Sequence, residues 1–262
     1  MAHSFPTEAH PHDVNSIVPV RETSDSSDVA AAGAVAAHQH DHAKSAPSDE
    51  LLAHVKAAQT MIRDIFNRFP PSQIGISFNG GKDSVVMFEL IRRTVPLDVL
   101  KQCCIFVIDL RDEFDEILDF RARYMRELGK ELSLVHQEVT VDMRESMWKL
   151  MEKRPLKAIF MGTRKTDPHG KYQQSPVQVT TAGWPDFLRV CPLFSWSVHS
   201  VWEYTRLHHI PQCQLYEDGY TSLGNVSNTS RNPQLRKEDG TYRPAWELSS
   251  PEAERGGRNC HC

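Results

Sequence analysis

Residues 75–91, GISFNGGKDSVVMFELI, carry the change of period that decides the fold. The apolar run IGISF at 74–78 suits a buried strand, the pair Gly80-Gly81 interrupts it, and Val85, Val86, Phe88, Leu90 and Ile91 resume at helical spacing. Upstream, Leu51, Leu52, Val55, Ala58, Ile62, Ile65, Phe66 and Phe69 recur every three or four residues behind a plausible N-cap, Ser48, and Pro70-Pro71 end that helix. Downstream the alternation continues. CCIFVIDL (103–110), LSLVHQEV (132–139) and KAIFMG (157–162) read as strands, with helices at 112–128 and about 143–152 between them. Strand-like runs separated by helices predict a Rossmann-like α/β fold, a mostly parallel sheet with helices on both faces. Ligands of such sheets bind beyond the carboxyl ends of the strands.

With 262 residues, 40% of them hydrophobic, the chain can bury a proper core. A net charge of −4 gives no basic field for nucleic acid, so small molecules are the expected partners. No apolar run approaches the ~18 residues of a membrane span. The six cysteines form no CxxC pair and no apolar signal segment precedes them, which fits a reducing, cytoplasmic setting. Residues 1–48 are rich in Ala, Ser, Asp and His with a single Arg, Arg21, and are expected to be a disordered tail. The His38-x-His40-x-His42 run within it has nothing to hold metal ligands in place and reads as solvated. After Gly162 the texture turns to loops with one convincing helix, Val198 to His208, as expected of a region that builds a substrate pocket onto the sheet.

At the strand-to-helix junction the N–H groups of Asn79, Gly80, Gly81 and Lys82 can converge on an anion, helped by the positive end of the helix dipole. A Walker loop does not fit: Gly81 falls on its Lys position and Lys82 on its Ser/Thr position. Bare Gly-Gly turns have no use for Lys, Asp and Ser gathered at a helix start. A second constellation, MGTRKTDPHG at 161–170, follows the fourth strand and so belongs at the same sheet edge. There Arg164 offers a planar fork to phosphate oxygens, and Asp167 with Asp83 offers the one or two carboxylates that Mg²⁺ takes beside substrate phosphates. A third stretch, GWPDFLRVCPLFSW at 183–196, places Trp184, Phe187 and Arg189 in a loop. Such aromatics either face a flat anionic ligand or pack in the core.

The loop resembles the S-G-G-x-D-S pyrophosphate loop of ATP-pyrophosphatase-like enzymes, through Ser77, Gly80, Gly81, Asp83 and Ser84. SFNGGKDS, GTRKTDP, GWPDFLRVCPLFSW, LYEDGYTSLGNVSNTSRNPQL and ERGGR, in this order, resemble the eukaryotic FAD synthase (FMN adenylyltransferase) family, of the phosphoadenylyl-sulfate-reductase-like group. That resemblance implies an adenine nucleotide alpha hydrolase-like fold and a Mg²⁺-dependent reaction of ATP with FMN, giving FAD and pyrophosphate. It implies that Ser77, Asn79, Gly80, Gly81, Lys82, Asp83 and Ser84 hold the ATP phosphates. Val107, Ile108 and Asp109 would read the adenine, and Gly162 and Arg164 would line the nucleotide site. Flavin would lie against Trp184, Pro185, Asp186, Phe187 and Arg189, beside Asp167, with Arg255 and Arg258 returning to the phosphates. Catalysis is thereby assigned to Asn79, Asp83, Arg164, Asp167, Arg255 and Arg258, and the metal to Asp83 and Asp167.

The expected organisation is a tail (1–48) and one catalytic domain (49–262), with a core at 49–165 and a flavin-binding region at 166–262. The chain is expected to be a monomer in the cytoplasm, without nucleic-acid or membrane partners. No kinase region is evident, so FMN would come from a separate enzyme. Two alternatives remain at this stage. One is a sulfur enzyme of the reductase type, for which the terminal Cys260-His261-Cys262 does not match the reductase motif; the other is a flavin-nucleotide binder without turnover.

Overall fold

The computed structural model describes residues 46–259 except 130, 139–141 and 169. Residues 1–45, with the His-rich run, and Cys260 to Cys262 therefore lie outside the described residues. Ser48 caps α1 (Asp49–Arg68): its Oγ accepts the Leu51 N–H at 3.1 Å. Its own N–H and hydroxyl donate to the Glu203 carboxylate at 2.7 and 2.8 Å. That pairing ties α1 to α6 (Val198–Leu207).

The remaining helices are α2 (Lys82–Thr94), the single turn α3 (Leu97–Leu100), α4 (Asp115–Glu127) and α5 (Met143–Lys153). The strands are β1 (Ile74–Ser77), β2 (Cys104–Asp109), β3 (Leu134–Glu138), β4 (Ala158–Phe160), β5 (Val177–Val179) and β6 (Leu188–Val190). They form one sheet in the order β3-β2-β1-β4-β6-β5, parallel except for β5 against β6. The chain runs outward from β1 through β2 to β3, then returns to place β4 on the other side of β1. The β1/β4 boundary is thus the switch point where such sheets open a crevice.

Two of these strands correct the sequence reading. The 183–196 stretch was expected to be a loop, yet Leu188–Val190 is β6 and pairs with β4, Arg189 opposite Ile159. Each new strand is three residues long, too short for an alternating pattern to show. The 112–128 helix starts three residues late, because Asp112 accepts the Ser227 N–H at 3.0 Å and Glu113 pairs with Arg121.

Alternate strand residues feed the two faces, as the pleat requires. Ile74, Ile76, Ile105, Ala158 and Phe160 join the larger core with residues of α1, α2, α4 and α6. Cys104, Phe106 and Ile159 join Met147, Leu150, Leu156 and Phe187 on the other. Gly75 faces this second layer, where a Cβ would come within 2.8 Å of Leu156 Cδ1.

Candidate active site

The loop after β1 is shaped by its own side chains. Gly80 has φ +80, a left-handed conformation that glycine adopts without strain. Asn79 Oδ1 accepts the Gly81 N–H at 3.0 Å and lies 2.7 Å from Ser84 Oγ, so Asn79 and Ser84 brace the turn from within. The Lys82 N–H donates to the Tyr216 hydroxyl at 2.9 Å. Two of the four N–H groups expected to face an anion are therefore already bonded. Among the described residues, the Gly80 N–H has no protein acceptor.

Close behind the loop runs the chain leaving β4. A Cβ on Gly162 would stand 2.9 Å from both the Asp83 carbonyl carbon and the Ser84 nitrogen, so only glycine lets this chain pass the first turn of α2. That approach delivers Arg164 to Asp83, with Arg164 Nε 2.9 Å from Asp83 Oδ1. Lys82 Nζ lies 2.9 Å from Asp83 Oδ2. Asp167 Oδ2 accepts the Arg164 N–H at 2.7 Å, and its Oδ1 is 3.5 Å from Arg164 Nη2.

A further carboxylate, unassigned from the sequence, completes the cluster. Glu254 Oε1 lies 2.5 Å from Arg164 Nη2 and 2.6 Å from Lys82 Nζ. The expectation that Arg164 holds out a free fork thus changes: its side chain is 2% exposed and ends on three carboxylates. Lys82, 4% exposed, ends on Asp83 and Glu254. Glu254 opens the ERGGR motif and Tyr216 stands second in LYEDGY, but neither has an assigned role there, because their partners lie far away in the chain.

Electrostatics distinguishes the members. Burial works against the Lys82 ammonium, but the Asp83 and Glu254 carboxylates overcome it and hold its pKa above the usual lysine value. Burial likewise opposes the Asp83 carboxylate, yet Arg164 and Lys82 keep its pKa below the ordinary range. At Asp167 burial prevails over Arg164, and the Asp83 charge adds to it, so that pKa is raised.

Three carboxylates thus face two cations, a negative balance that an incoming polyphosphate would deepen. Among the described residues no group of three or more His, Cys, Asp or Glu gathers to hold a metal. Mg²⁺ needs no such group, since one or two carboxylates plus phosphate oxygens suffice. Asp167, whose anion lacks full compensation, fits that ion better than Asp83, which already has two cationic partners.

Strand β2 outruns β1 by three residues, Val107 to Asp109, so their β1-facing backbone edge pairs with no strand. Arg121, 3% exposed in its side chain, joins this end to the loop. Its Nη2 reaches Asp109 Oδ1 at 3.2 Å, and its Nη1 reaches Glu113 Oε1 at 3.1 Å and the Asn79 carbonyl at 3.4 Å. Asp109 also meets His136 Nδ1 at 3.0 Å.

The flavin candidates separate by burial. Phe187 is 6% exposed and belongs to the second core, and Pro185 is buried. Trp184 is half-buried with the Arg144 guanidinium 5.8 Å from its ring centroid, Asp186 is exposed, and Arg189 is half-buried on β6. At the C-terminal end, Arg255 Nη1 donates to Ser222 Oγ at 3.4 Å and Arg258 Nη1 to the Leu223 carbonyl at 2.7 Å.

A glycine phosphate loop at the switch point, with an Arg and carboxylates from the next strand edge, defines a nucleotide-binding α/β protein. Residues 73–231 match the phosphoadenosine phosphosulfate reductase domain. The chain is 37% identical over 227 residues to the probable FAD synthase of Schizosaccharomyces pombe, covering 82% of this chain and 83% of that protein. It is 35% identical over 217 residues to the probable FAD synthase of Caenorhabditis briggsae, covering 80% of this chain and 41% of the longer nematode protein. It also matches the crystal structure of Candida glabrata FMN adenylyltransferase in complex with FAD and inorganic pyrophosphate, with a TM-score of 0.74 and 28% identity, over 82% of this chain and 93% of that one. The chain belongs to the FAD synthase family, a branch of the nucleotidyltransferases built on the phosphoadenosine phosphosulfate reductase domain.

Proposed function

We propose that this chain transfers AMP from ATP to FMN, giving FAD and pyrophosphate. The observation that carries this reading is the match over most of the chain to an FMN adenylyltransferase that holds FAD and pyrophosphate. In the reaction an FMN phosphate oxygen forms a bond to the α-phosphorus while the bond from that phosphorus to the α–β bridging oxygen breaks, and the electron pair leaves with pyrophosphate. The FMN phosphate is already anionic at neutral pH and needs no strong base. The protein's task is positioning and charge balance.

Asn79 and the loop through Ser84, including Ser77 at the strand end, hold the phosphates. The open backbone edge of Val107, Ile108 and Asp109 reads the adenine, beside Gly162. Trp184, Asp186 and Arg189 receive the flavin, and Arg255 and Arg258 return toward the phosphates. Mg²⁺ would be held by Asp167 and Asp83 and would supply positive charge to the phosphate oxygens. The negative balance of the cluster supports that assignment.

We read the chain as a single catalytic domain, monomeric and cytoplasmic, acting on small molecules without nucleic-acid or membrane partners. Among the described residues no helix is long and apolar enough to cross a membrane. The test incubates the purified chain with ATP, MgCl₂ and FMN and follows FAD and pyrophosphate by chromatography. Stoichiometric appearance of both is expected. ATP and FMN binding without product would instead make the chain a flavin-nucleotide binder.

A further inference from the structure

The carboxylate closest to Arg164 comes from the far end of the chain. Glu254 has a side chain only 9% exposed and receives both Arg164 Nη2 and Lys82 Nζ on one oxygen, at 2.5 and 2.6 Å. Its backbone is fixed as firmly. The Thr221 hydroxyl donates to the Glu254 carbonyl at 2.6 Å, and Asn232, fully buried, sends its amide to Thr221 Oγ1 at 2.9 Å and to the Ala253 carbonyl at 2.7 Å. Arg255 and Arg258 follow directly on this anchored segment.

A carboxylate beside a polyphosphate site repels the ligand, so its service there is geometric. Without Glu254, Arg164 and Lys82 would share only Asp83 and Asp167. Breaking a buried ion pair is costly, and the two cations would be drawn more strongly to the carboxylates that remain. Asp83 lies in the first turn of α2, so that attraction would pull on the phosphate loop itself. A displacement of about 1 Å near the reacting groups can lower a rate on the order of 100-fold.

We infer that Glu254 is a positioning residue: it aims Arg164 and Lys82, and it couples the docking of residues 251–258 to the shape of the Asn79–Ser84 loop. The coupling rests on the AMP-transfer reading for its kinetic consequence but not for its structural one.

The test compares wild type with Glu254→Gln, which loses the charge at constant shape, and Glu254→Asp, which keeps the charge on a shorter arm. Circular dichroism checks that both fold. In Glu254→Gln, kcat is expected to fall roughly 10- to 100-fold while the KM for ATP stays level or drops, with part of kcat recovered in Glu254→Asp. By hydrogen exchange, Glu254→Gln is expected to lose protection at 251–258 and at 79–84 together. The inference is overturned if exchange rises at 251–258 alone, or if kcat is unchanged while kcat/KM for ATP rises, which would make Glu254 a mere plug of the site. A wild-type chain that makes no FAD would instead overturn the reaction assignment, and the paired exchange change would still decide the coupling. Should Glu254→Gln not fold, the same exchange and kcat comparison is made on Glu254→Asp, where a joint rise in exchange is expected and a rise at 251–258 alone overturns the inference.

Discussion

Arg164 Nη2 and Glu254 Oε1 stand 2.5 Å apart although 90 residues separate them in the chain. This contact closes a network through Lys82, Asp83 and Asp167, so the start of α2, the segment after β4 and the C-terminal segment meet on buried charges. Each limb of the network has its own measurable consequence.

Asp83 and Asp167 flank one guanidinium but differ in sign. Burial opposes both anions; Arg164 and Lys82 overcome it at Asp83, whose pKa is held below the ordinary 3.8. Its contribution to stability is present above 3.8 and is lost as pH falls through the lower folded value. At Asp167 the pKa is raised above 3.8, so its ionisation opposes folding increasingly as pH rises from there through the raised value. At pH 7, Asp83→Asn is therefore expected to lower the unfolding free energy by about 3 kcal/mol. Asp167→Asn should lie within about 1 kcal/mol of wild type or be more stable. Urea denaturation measures both, and equal losses would contradict the assignment. Asp167→Asn should nevertheless abolish Mg²⁺-dependent turnover, and near wild-type kcat across a Mg²⁺ titration would remove Asp167 from the metal site.

Gly162 admits no side chain beside Asp83 and Ser84. The neighbouring atoms are backbone of a helix start, which cannot swing aside. Gly162→Ala should lose about 1–3 kcal/mol of stability and most of its turnover. Thermal melts and kcat check this, and a fully active, equally stable variant would show that the β4 exit can move.

Arg121 spans the end of β2 and the phosphate loop with a planar fork that a lysine cannot reproduce. Arg121→Lys is expected to raise the KM for ATP about tenfold, corresponding to roughly 1.4 kcal/mol, with less effect on the KM for FMN. Initial-rate measurements with each substrate varied separate the two, and an unchanged KM for ATP would reduce Arg121 to a fold-stabilising residue.

Trp184 and Phe187 lie three residues apart against the same core layer, Phe187 buried within it and Trp184 half-buried at its edge. Trp184→Ala should raise the KM for FMN up to about tenfold, the scale of an aromatic contact near 1.5 kcal/mol, and cost less stability than Phe187→Ala, because its ring is only half-buried at the edge of the second core. Phe187→Ala should cost about 3–5 kcal/mol of stability, because it empties a place in the second core. If Trp184→Ala melts early and leaves flavin affinity intact, the flavin lies elsewhere.

Much of this was legible in the local pattern. The β1–α2 junction, the first four strands and α1, α5 and α6 fall within a residue or two of their expected places, because each has its own period or cap. β5 and β6 were not legible: VQV and LRV lack the apolar run that marks the equally short β4, AIF, and take their identity from the neighbour they pair with. Among the aromatics of 183–196, residue type could not separate a half-buried Trp184 from a core Phe187, since both satisfy the same composition.

By itself the sequence determined the α/β alternation, the glycine loop at a strand-to-helix turn, and the order of motifs that the FAD synthase family shares. These depend on spacing along the chain, where hydrophobic period and backbone freedom act over a few residues. Only the tertiary structure decided that Lys82 and Arg164 end on carboxylates, that Tyr216 takes an N–H at the start of α2, and that Glu254 completes the cluster. Buried charges choose partners by distance in space, and loop closure brings together groups whose separation in sequence carries no information about their pairing.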